Sequence, residues 1–334
     1  MSGGHTRGTM KAITQHRYGG VDTLRYADVP VPAVGDDEVL IRVRAASVNA
    51  VDWLLMRGEP LVVRLAFGLR GPKVPTRGRD VAGVVEATGR NAHRFAVGDE
   101  VYAEVDAGSF AEYTVATEKR IAKKPANLTF EQAAAVPIAA TTALQGLRDV
   151  AKVRPGDKVL INGASGGVGS FAVQIASAFG AEVTGVCSTR NLELVRSLGA
   201  DRVIDYSTDD FTAVGEHYDV MFDLVGNRSL AQCRHALTRR GTLVLSSGGG
   251  GRLLGPIGRI AAAAAVGILT TQRLRPLVSS GNADDLSALR DLIESGQVTP
   301  SVARTYPLAE AAEALRLFGG AHAGGKIVIS VSPA

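Results

Sequence analysis

Cysteines, long apolar tracts and basic runs are scarce in this chain of 334 residues. The two cysteines, Cys187 and Cys233, are too few for a disulfide framework or a four-cysteine zinc site. The longest apolar tract, Ile260–Leu269, falls well short of the roughly 20 residues that span a bilayer. No dense run of Lys or Arg predicts a nucleic-acid surface, and no charged-then-apolar signal segment opens the chain. These absences argue against a secreted disulfide scaffold, a membrane protein and a nucleic-acid-binding protein. A cytoplasmic protein that acts on a small molecule is expected.

The composition that is present is typical of a globular protein. Hydrophobic residues make up 46% and charged residues 21%, with a formal net charge of +4, and the length is sufficient for two domains. Residues 1–9 are small and polar, so we expect them to be disordered and the structure to begin at Met10.

The pattern of apolar residues changes along the chain. Short strands with turn signals, such as Val39–Val43 and Val81–Ala87, precede residue 125 and predict a small β-rich barrel or sandwich. From Thr129 onward helical segments and strands alternate, which predicts a parallel doubly wound sheet. After about residue 280 helical segments such as Asp284–Ser295 and a last strand, Lys326–Val331, close the chain. The predicted fold class is therefore α/β with a second, β-rich domain.

A strand, a glycine turn and a helix form one unit near the middle of the chain. The apolar strand Val159–Ile161 leads into Ala164-x-Gly166-x-x-Gly169, in which alanine replaces the usual first glycine, and the helical segment Phe171–Phe179 follows. Gly166 would let the backbone approach a pyrophosphate, and Gly169 would let the helix pack on the strand. The unpaired N–H groups at the start of the helix favour a phosphate. This unit predicts a dinucleotide site.

The end of the next strand indicates which dinucleotide binds. NAD sites usually place Asp or Glu there, whereas this chain has Cys187 followed by Ser188, Thr189, Arg190 and Asn191. No carboxylate follows that strand to repel a 2′-phosphate, and hydroxyls and a guanidinium are available to bind it. NADPH is therefore favoured over NADH.

The same turn has a second interpretation. The stretch Gly163–Gly167 satisfies G-x-S-x-G, the nucleophile elbow of hydrolases, with Ser165 as the nucleophile and His217, His235 and His322 downstream. No HGG-type oxyanion segment precedes it, and an elbow does not explain the polar residues after the next strand. Ser165 is therefore interpreted as a turn residue, and the serine hydrolase is kept as an alternative.

Several separated segments carry a family resemblance. They are Ala46–Trp53, Gly78–Val85, Val97–Tyr102, the GASGGVG turn, Ala200–Tyr206 and Phe222–Gly226. Together they resemble the medium-chain dehydrogenase/reductase superfamily, in particular its zinc-independent quinone oxidoreductases, the zeta-crystallin-like branch. The resemblance implies a GroES-like catalytic domain made of residues 10–125 and 281–334. It also implies a Rossmann NADPH-binding domain at residues 126–280 and a homodimer.

No metal site is expected. A catalytic zinc needs three protein ligands such as two Cys and a His, and that set is missing. Where the zinc alcohol dehydrogenases carry a ligand cysteine, this chain resembles the other branch with Asn49, and in place of their Gly-His-Glu it has Gly78-Arg79-Asp80. Without a Lewis acid, alcohol oxidation is disfavoured. Reduction of a quinone or an α,β-unsaturated carbonyl by NADPH is still feasible, because the charge left by hydride addition spreads into a hydroquinone anion or an enolate.

The resemblance also assigns residues to the site. Asn49 is the first candidate for a catalytic role, with an amide that would donate to the substrate oxygen or to the cofactor ribose. Asp52 is expected either to orient its neighbours or to cap a helix. Arg79 and Asp80 are expected to form a structural pair.

A larger set of residues is expected to bind the cofactor together with Asn49. The set comprises Thr142, Ala164, Ser165, Gly166, Gly167, Val168, Ser188, Thr189, Arg190, Asn191, Tyr206, Val225, Gly226, Ser246, Ser247, Leu269 and Lys326. Three alternatives stay open at this point: an NADP-dependent alcohol dehydrogenase, an enoyl-thioester reductase, and an NADPH-binding protein without catalytic activity.

Overall fold

The structure is a computed structural model that describes residues 8–213, 215–246, 255, 257–320 and 324–331. In chain order the strands are β1 (Thr9–Thr14), β2 (Arg25–Pro30), β3 (Glu38–Val48), β4 (Asp80–Thr88), β5 (Glu100–Glu104), β6 (Tyr113–Thr117), β7 (Ile121–Lys123), β8 (Lys158–Asn162), β9 (Glu182–Cys187), β10 (Arg202–Asp205), β11 (Tyr218–Asp223), β12 (Leu237–Leu245), β13 (Arg273–Pro276), β14 (Val302–Pro307) and β15 (Lys326–Ser330).

The α-helices connect these strands. They are α1 (Ala50–Arg57), α2 (Arg64–Phe67), α3 (Phe130–Ala134), α4 (Pro137–Leu144), α5 (Gly167–Ala178), α6 (Leu192–Ser197), α7 (Leu230–His235), α8 (Ile257–Ile268), α9 (Ala283–Glu294) and α10 (Ala311–Gly319). A π-helical turn, Gln145–Ala151, continues α4. None of the helices within the described ranges combines the length and the hydrophobicity that crossing a membrane requires.

One sheet draws its strands from both ends of the chain. Its order is β14-β15-β3-β4-β5-β7, and β6 also pairs with β3. The last strand, β15, runs antiparallel to β3, with Ile327 opposite Val48. On its other side β3 pairs with β4, with Ser47 opposite Asp80. These two registers bring Lys326, Asn49 and Asp80 to the same edge of the sheet.

The second large sheet is parallel and comes from the middle of the chain. Its order is β10-β9-β8-β11-β12-β13, which is 3-2-1-4-5-6 when the strands are numbered within the sheet. The order reverses between β8 and β11, and open sheets of this kind bind ligands at the carboxyl ends of the strands beside that point. The predicted fold class, a doubly wound parallel sheet plus a GroES-like β-rich domain, is confirmed.

Two expectations about elements need correction. Strand β1 begins at Thr9, inside the segment expected to be disordered, whereas residues 1–7 lie outside the described residues. Helix α5 begins at Gly167 instead of Phe171, so the glycines of the turn form its first residues. Glycine has a low helix propensity, so the sequence did not predict a helix that begins at Gly167. Packing of the helix against the sheet overrides that low propensity.

Candidate active site

The glycine turn between β8 and α5 has the geometry of a phosphate-binding loop. The left-handed residue is Gly163, with φ +92°, one position before the expected first glycine. Ala164 follows it and is fully buried. A Cβ at Gly169 would lie 2.1 Å from the Gly163 carbonyl oxygen, so only glycine lets α5 pack this closely on the turn. A Cβ at Gly166 would have only that oxygen nearby, at 3.3 Å. The space over Gly166 is therefore open to a ligand.

The start of α5 suits the charge of a diphosphate. The helix has 12 residues, begins at Gly167, and leaves the N–H groups of its first turn, including that of Val168, without intrahelical acceptors. Those groups and the helix dipole favour an anion. Open space over Gly166 and unpaired donors together fit the pyrophosphate of a dinucleotide.

The residues after β9 form a hydrogen-bonded loop beside this turn. Asn191 Nδ2 donates to Ser165 Oγ at 3.0 Å and to Ser188 Oγ at 3.2 Å. Thr189 Oγ1 donates to Asp205 Oδ2 at 2.5 Å. Hydrogen bonds from Ser207 and Thr189 hold the pKa of Asp205 below its usual range, so this carboxylate stays charged.

Asp205 corrects the expectation that no carboxylate lies near the 2′-phosphate position. It ends β10, which pairs with β9 in parallel, and Asp205 lies opposite Cys187 in that register. Parallel strands end at the same edge of a sheet, so a carboxylate distant in sequence comes next to Thr189. Arg190 is exposed and forms no ion pair within the described part of the chain. Tyr206, which follows Asp205, is 51% exposed, and its N–H donates to the Cys187 carbonyl oxygen at 3.1 Å.

The residues that end β11 and β12 lie on the same edge as the turn. A Cβ at Gly163 would lie 2.8 Å from Val225 Cγ2, so the Val225 side chain covers the turn. Asp223 fixes the loop by accepting from the Gly226 N–H at 2.9 Å, and its own carbonyl oxygen accepts from the Ser246 N–H at 3.2 Å. Ser247 lies outside the described residues.

Leu269 is placed away from this edge, which corrects its expected cofactor contact. Helix α8 runs back toward the amino ends of the strands, and Leu269 follows it with 88% exposure. Gln272, three residues later, donates to carbonyl oxygens of Arg234 and Leu237, at the start of β12. A contact with a ligand at the carboxyl edge is therefore impossible for Leu269 in this arrangement.

The segment after β13 takes the place expected for Leu269. The Leu277 N–H donates to the Leu245 carbonyl oxygen at 2.9 Å, at the carboxyl end of β12. Ser279 Oγ lies 2.9 Å from Thr142 Oγ1. Thr142 is 7% exposed and belongs to this edge of the cleft. Strand β13 was not predicted from the sequence, and its prediction would have identified this segment.

The hydrolase interpretation of Ser165 finds no support in the described residues. Ser165 Oγ accepts from Asn191. His217 precedes β11 and His235 ends α7, with their rings 6.3 Å apart, so both lie at the amino edge of the sheet, opposite Ser165. His322 lies outside the described residues.

The return segment connects the glycine turn to the other sheet. The Gly325 N–H donates to the Ser165 carbonyl oxygen at 3.0 Å, and a Cβ at Gly167 would lie 3.1 Å from Lys326 Cδ. The Lys326 side chain is 2% exposed. Its Nζ lies 2.5 Å from Asn49 Oδ1 and 3.1 Å from the Val48 carbonyl oxygen. Lys326 therefore lies against the turn, and its ammonium points to Asn49.

Asn49 is held on both sides of its amide. Its Oδ1 accepts from Lys326, and its Nδ2 donates to Asp80 Oδ2 at 2.8 Å. The Lys326 ammonium can only donate, so it faces the amide oxygen. The Asp80 carboxylate can only accept, so it faces the amide nitrogen, and the two neighbours together fix the orientation of the Asn49 amide. Ser47 Oγ donates to the same Asp80 oxygen at 2.9 Å. Asn49 Nδ2 also lies 3.5 Å from the Ser47 carbonyl oxygen, so both polar atoms of Asn49 have partners within the protein, and its donation to a substrate stays a prediction.

Asp80 and Arg79 do not pair with each other, contrary to expectation. Asp80 is fully buried, accepts from the Ile138 N–H at 3.0 Å and lies 3.5 Å from Lys326 Nζ. Arg79 instead pairs with Glu104 at 2.8 Å and Asp106 at 2.7 Å. Adjacent residues on a strand point to opposite faces, which separates the two side chains.

Asp52 joins the buried cluster to a cavity. It lies in the first turn of α1, is 4% exposed and accepts from the Asn49 N–H at 2.8 Å. Burial raises the pKa of its carboxyl to about 7. The cavity that it lines has a volume of about 340 Å³. Its other lining residues include Tyr18, Leu55, Phe67, Val74, Arg77 and Arg79. The cavity thus has an apolar wall, cationic groups, the Asp106 carboxylate, and the Asp52 carboxyl, which changes protonation near neutral pH.

Comparison with known proteins assigns the family. A model described as an alcohol dehydrogenase GroES-like domain matches residues 35–126, and one described as a zinc-binding dehydrogenase matches residues 198–329. Similar proteins include an NADPH-dependent alkenal/one oxidoreductase of Arabidopsis thaliana, 37% identical over 97% of this chain and 80% of that protein. The chain belongs to the medium-chain dehydrogenase/reductase superfamily.

Further members of the superfamily resemble the chain over nearly its whole length. The chloroplast envelope quinone oxidoreductase homolog of Arabidopsis thaliana is 33% identical over 96% of this chain and 98% of that protein. The solved quinone oxidoreductase from Coxiella burnetii superposes with a TM-score of 0.85 at 30% identity, covering 97% of this chain and all of that one.

The residues of this superfamily member do not fit a zinc ion. Arg79 is a cation held by two carboxylates, and Asn49 Oδ1 already accepts from Lys326. Zinc sites use Cys, His and carboxylate ligands. Across the described ranges, no group of three or more such side chains is arranged to hold a metal.

Proposed function

We propose that this protein is an NADPH-dependent, zinc-independent oxidoreductase that reduces quinones or α,β-unsaturated carbonyls by hydride transfer. The names of the relatives, an alkenal/one oxidoreductase and quinone oxidoreductases, support the reaction class. The assignment of this reaction to the present chain rests on one observation. Gly325 and Lys326 join the phosphate-binding turn to the buried Asn49 and Asp80, so a cofactor on the turn would extend toward the Asp52 cavity.

The residues of the cleft then have separate roles. Gly166 and the start of α5 hold the diphosphate, and Lys326, Asn49 and Asp80 form a rigid wall beside it. The bound NADPH supplies a hydride. The substrate lies in the Asp52 cavity, whose apolar wall suits a planar conjugated carbonyl.

Asp52 supplies the proton in this proposal. Addition of hydride to the β-carbon or quinone ring leaves a negative charge on the substrate oxygen, which must be protonated. A carboxyl with a pKa of about 7 is protonated in a large fraction of molecules at neutral pH, and such a value is well suited to a general acid. Arg77 and Arg79 stabilise the carboxylate left behind, and water returns the proton through the cavity.

The reaction class is tested by following NADPH and NADH oxidation with quinones, enones, aldehydes and acyl thioesters, and NADP⁺ reduction with alcohols. We expect turnover of a quinone or an enone with NADPH. Activity after dialysis against a chelator should be unchanged, because no zinc takes part. Turnover confined to alcohols or acyl thioesters would refute the proposal in favour of those enzymes, and binding of NADPH without any turnover would indicate a non-catalytic binding protein.

The preference for NADPH rests on Arg190, the unpaired cation beside Thr189. Because Asp205 repels a 2′-phosphate, Arg190 must outweigh it. Arg190→Ala is expected to weaken NADPH binding at least about tenfold and to leave NADH binding unchanged. Arg240→Ala, a change of an exposed arginine in β12, is the matched control. Equal losses for both cofactors would contradict the assignment.

The proposal includes a homodimer and a cytoplasmic location. Strand β13 has a neighbour on one side only among the described strands, and an open strand edge is a template for pairing with a second copy. Light scattering coupled to size exclusion gives the mass, and a monomer at micromolar concentration would refute the dimer. Cell fractionation tests the location.

A further inference from the structure

Exposed apolar side chains gather at the mouth of the Asp52 cavity. Leu65 is 72% exposed, Leu69 69%, Phe67 41% and Val74 39%. Phe67 and Val74 also line the cavity, so its apolar wall continues onto the surface. Contiguous exposed apolar surface of this kind marks a contact with a protein, a ligand or a membrane.

The same segment is positively charged. Arg70 and Lys73 are exposed and take part in no ion pair within the described residues. Arg64 stacks on Tyr18 and donates to the Gly58 carbonyl oxygen. No acidic residue lies between positions 60 and 79. We call residues 64–75 the cationic rim. It presents leucine, phenylalanine and valine side chains among uncompensated cations.

We propose that the cationic rim binds the surface of an anionic phospholipid membrane and that lipophilic acceptors enter the cavity from that surface. Leucine and phenylalanine side chains insert at the boundary between headgroups and acyl chains, and Arg70 and Lys73 attract the anionic headgroups. The choice of acceptor, a quinone or long-chain enone dissolved in the bilayer, rests on the proposed function. The membrane contact itself does not.

Charge favours a membrane over a second copy of the chain. A two-fold interface between two rims would place Arg70 and Lys73 of one copy against the same cationic surface of the other, and like charges across an interface repel. An anionic bilayer neutralises both cations and covers the apolar side chains at the same time.

The test is sedimentation of the full chain with vesicles of phosphatidylglycerol and phosphatidylcholine, and with vesicles of phosphatidylcholine alone. We expect at least about tenfold tighter binding to the anionic vesicles, and weaker binding at high salt. The double variant Leu65→Glu, Leu69→Glu should lose this binding. The matched control is Ile268→Glu, Leu269→Glu, which adds the same two charges at the end of α8, at side chains 84% and 88% exposed. The control should bind as the wild type does.

Activity separates this proposal from the proposed function. With a water-soluble acceptor both double variants should turn over as the wild type does, because neither Leu65 nor Leu69 lines the cavity. With an acceptor dissolved in anionic vesicles, only the rim variant should slow, by at least about fivefold. If no quinone or enone reacts, the proposed function fails while vesicle binding still decides the role of the rim.

Three results would overturn the membrane contact. They are absence of wild-type binding to anionic vesicles, equal binding by the rim variant, and a rim-dependent self-association or acidic-protein complex without vesicle binding. Sedimentation velocity of the wild type and the rim variant distinguishes the last case.

Discussion

The ammonium of Lys326 lies 2% exposed beside the fully buried carboxylate of Asp80, 246 positions away in the chain. Removing one partner of a buried ion pair leaves an uncompensated charge. Lys326→Met is therefore expected to lower the free energy of unfolding by about 3–5 kcal/mol in urea denaturation. Lys158→Met is the control, because its pair with Glu182 is exposed on both sides and should be worth at most about 1 kcal/mol. Equal losses in the two variants would contradict this account.

The carboxyl of Asp52 makes stability depend on pH. Burial raises its pKa from 3.8 to about 7, so between these values the folded protein holds a proton that the unfolded chain has released. The contribution of Asp52 is complete below pH 4 and falls as the pH rises to 7, by on the order of 3–4 kcal/mol. Asp52→Asn keeps an acceptor for the Asn49 N–H and should lose this dependence. The free energies of unfolding of the two proteins are measured in urea from pH 5 to 8. If they change with pH in the same way, Asp52 is not the source of the pH dependence.

Asn49, Asp52 and Lys326 could be predicted from the sequence as candidate site residues, but their contacts with one another and with Asp80 could not. Asn49 and Asp52 lie in one short segment that carries the family resemblance. Asp80 and Lys326 reach Asn49 only through the registers of β3 with β4 and with β15, which depend on sheet packing across the whole chain. Local patterns therefore predicted the position of the candidate site, but did not reveal the contacts of the Asn49 amide with Lys326 and Asp80.

At the scale of elements, the turn between β8 and α5 contains two glycines with different roles. A Cβ at Gly169 would collide with the backbone of Gly163 and Ala164, whereas one at Gly166 meets only the Gly163 oxygen, at 3.3 Å. Gly169→Ala is expected to lower the melting temperature by several degrees. Gly166→Ala should keep the melting temperature within about 2 °C of the wild-type value. It should weaken NADPH binding at least about tenfold, because the added methyl group occupies the space through which the diphosphate approaches the backbone.

Scanning fluorimetry and titration of NADPH fluorescence measure the two effects separately. Both variants are made in the same turn, so each serves as the control for the other. Loss of stability in Gly166→Ala, or unchanged stability in Gly169→Ala, would show that the roles have been assigned wrongly.

Several strands with a clear apolar pattern were predicted closely, whereas others were missed, among them β13. The predicted strand Val39–Val43 lies within β3, and Val81–Ala87 lies within β4. Strand β13, Arg273–Pro276, was not predicted from the sequence because Leu274 is its only buried residue. An edge strand needs few apolar side chains, and its pairing with β12 is supplied by the sheet. That omission is why Leu269 was assigned to the site in place of the segment around Ser279.

At the scale of the whole molecule, one apolar core joins the two large sheets. It includes Ala82 and Tyr102 from the GroES-like sheet together with Val159 and Phe222 from the parallel sheet. Inside this core, Tyr102 Oη donates to the carbonyl oxygen of Leu286, in α9, at 2.5 Å, in a fully buried position. A core shared in this way couples the stability of the two sheets.

The two sheets are therefore expected to unfold in one transition. Trp53, the only tryptophan, reports on α1 beside the GroES-like sheet, and far-UV circular dichroism reports on all helices. Urea curves from the two probes should coincide. Tyr102→Phe removes the buried hydrogen bond to the Leu286 carbonyl, which keeps its helical N–H partner within α9, and should shift both curves together, by about 1 kcal/mol. If the tryptophan curve alone moved, or if the wild type unfolded in two steps, the sheets would be independent. In that case the cleft between them, where Lys326 meets the glycine turn, would not be rigid enough to align a cofactor with Asp52.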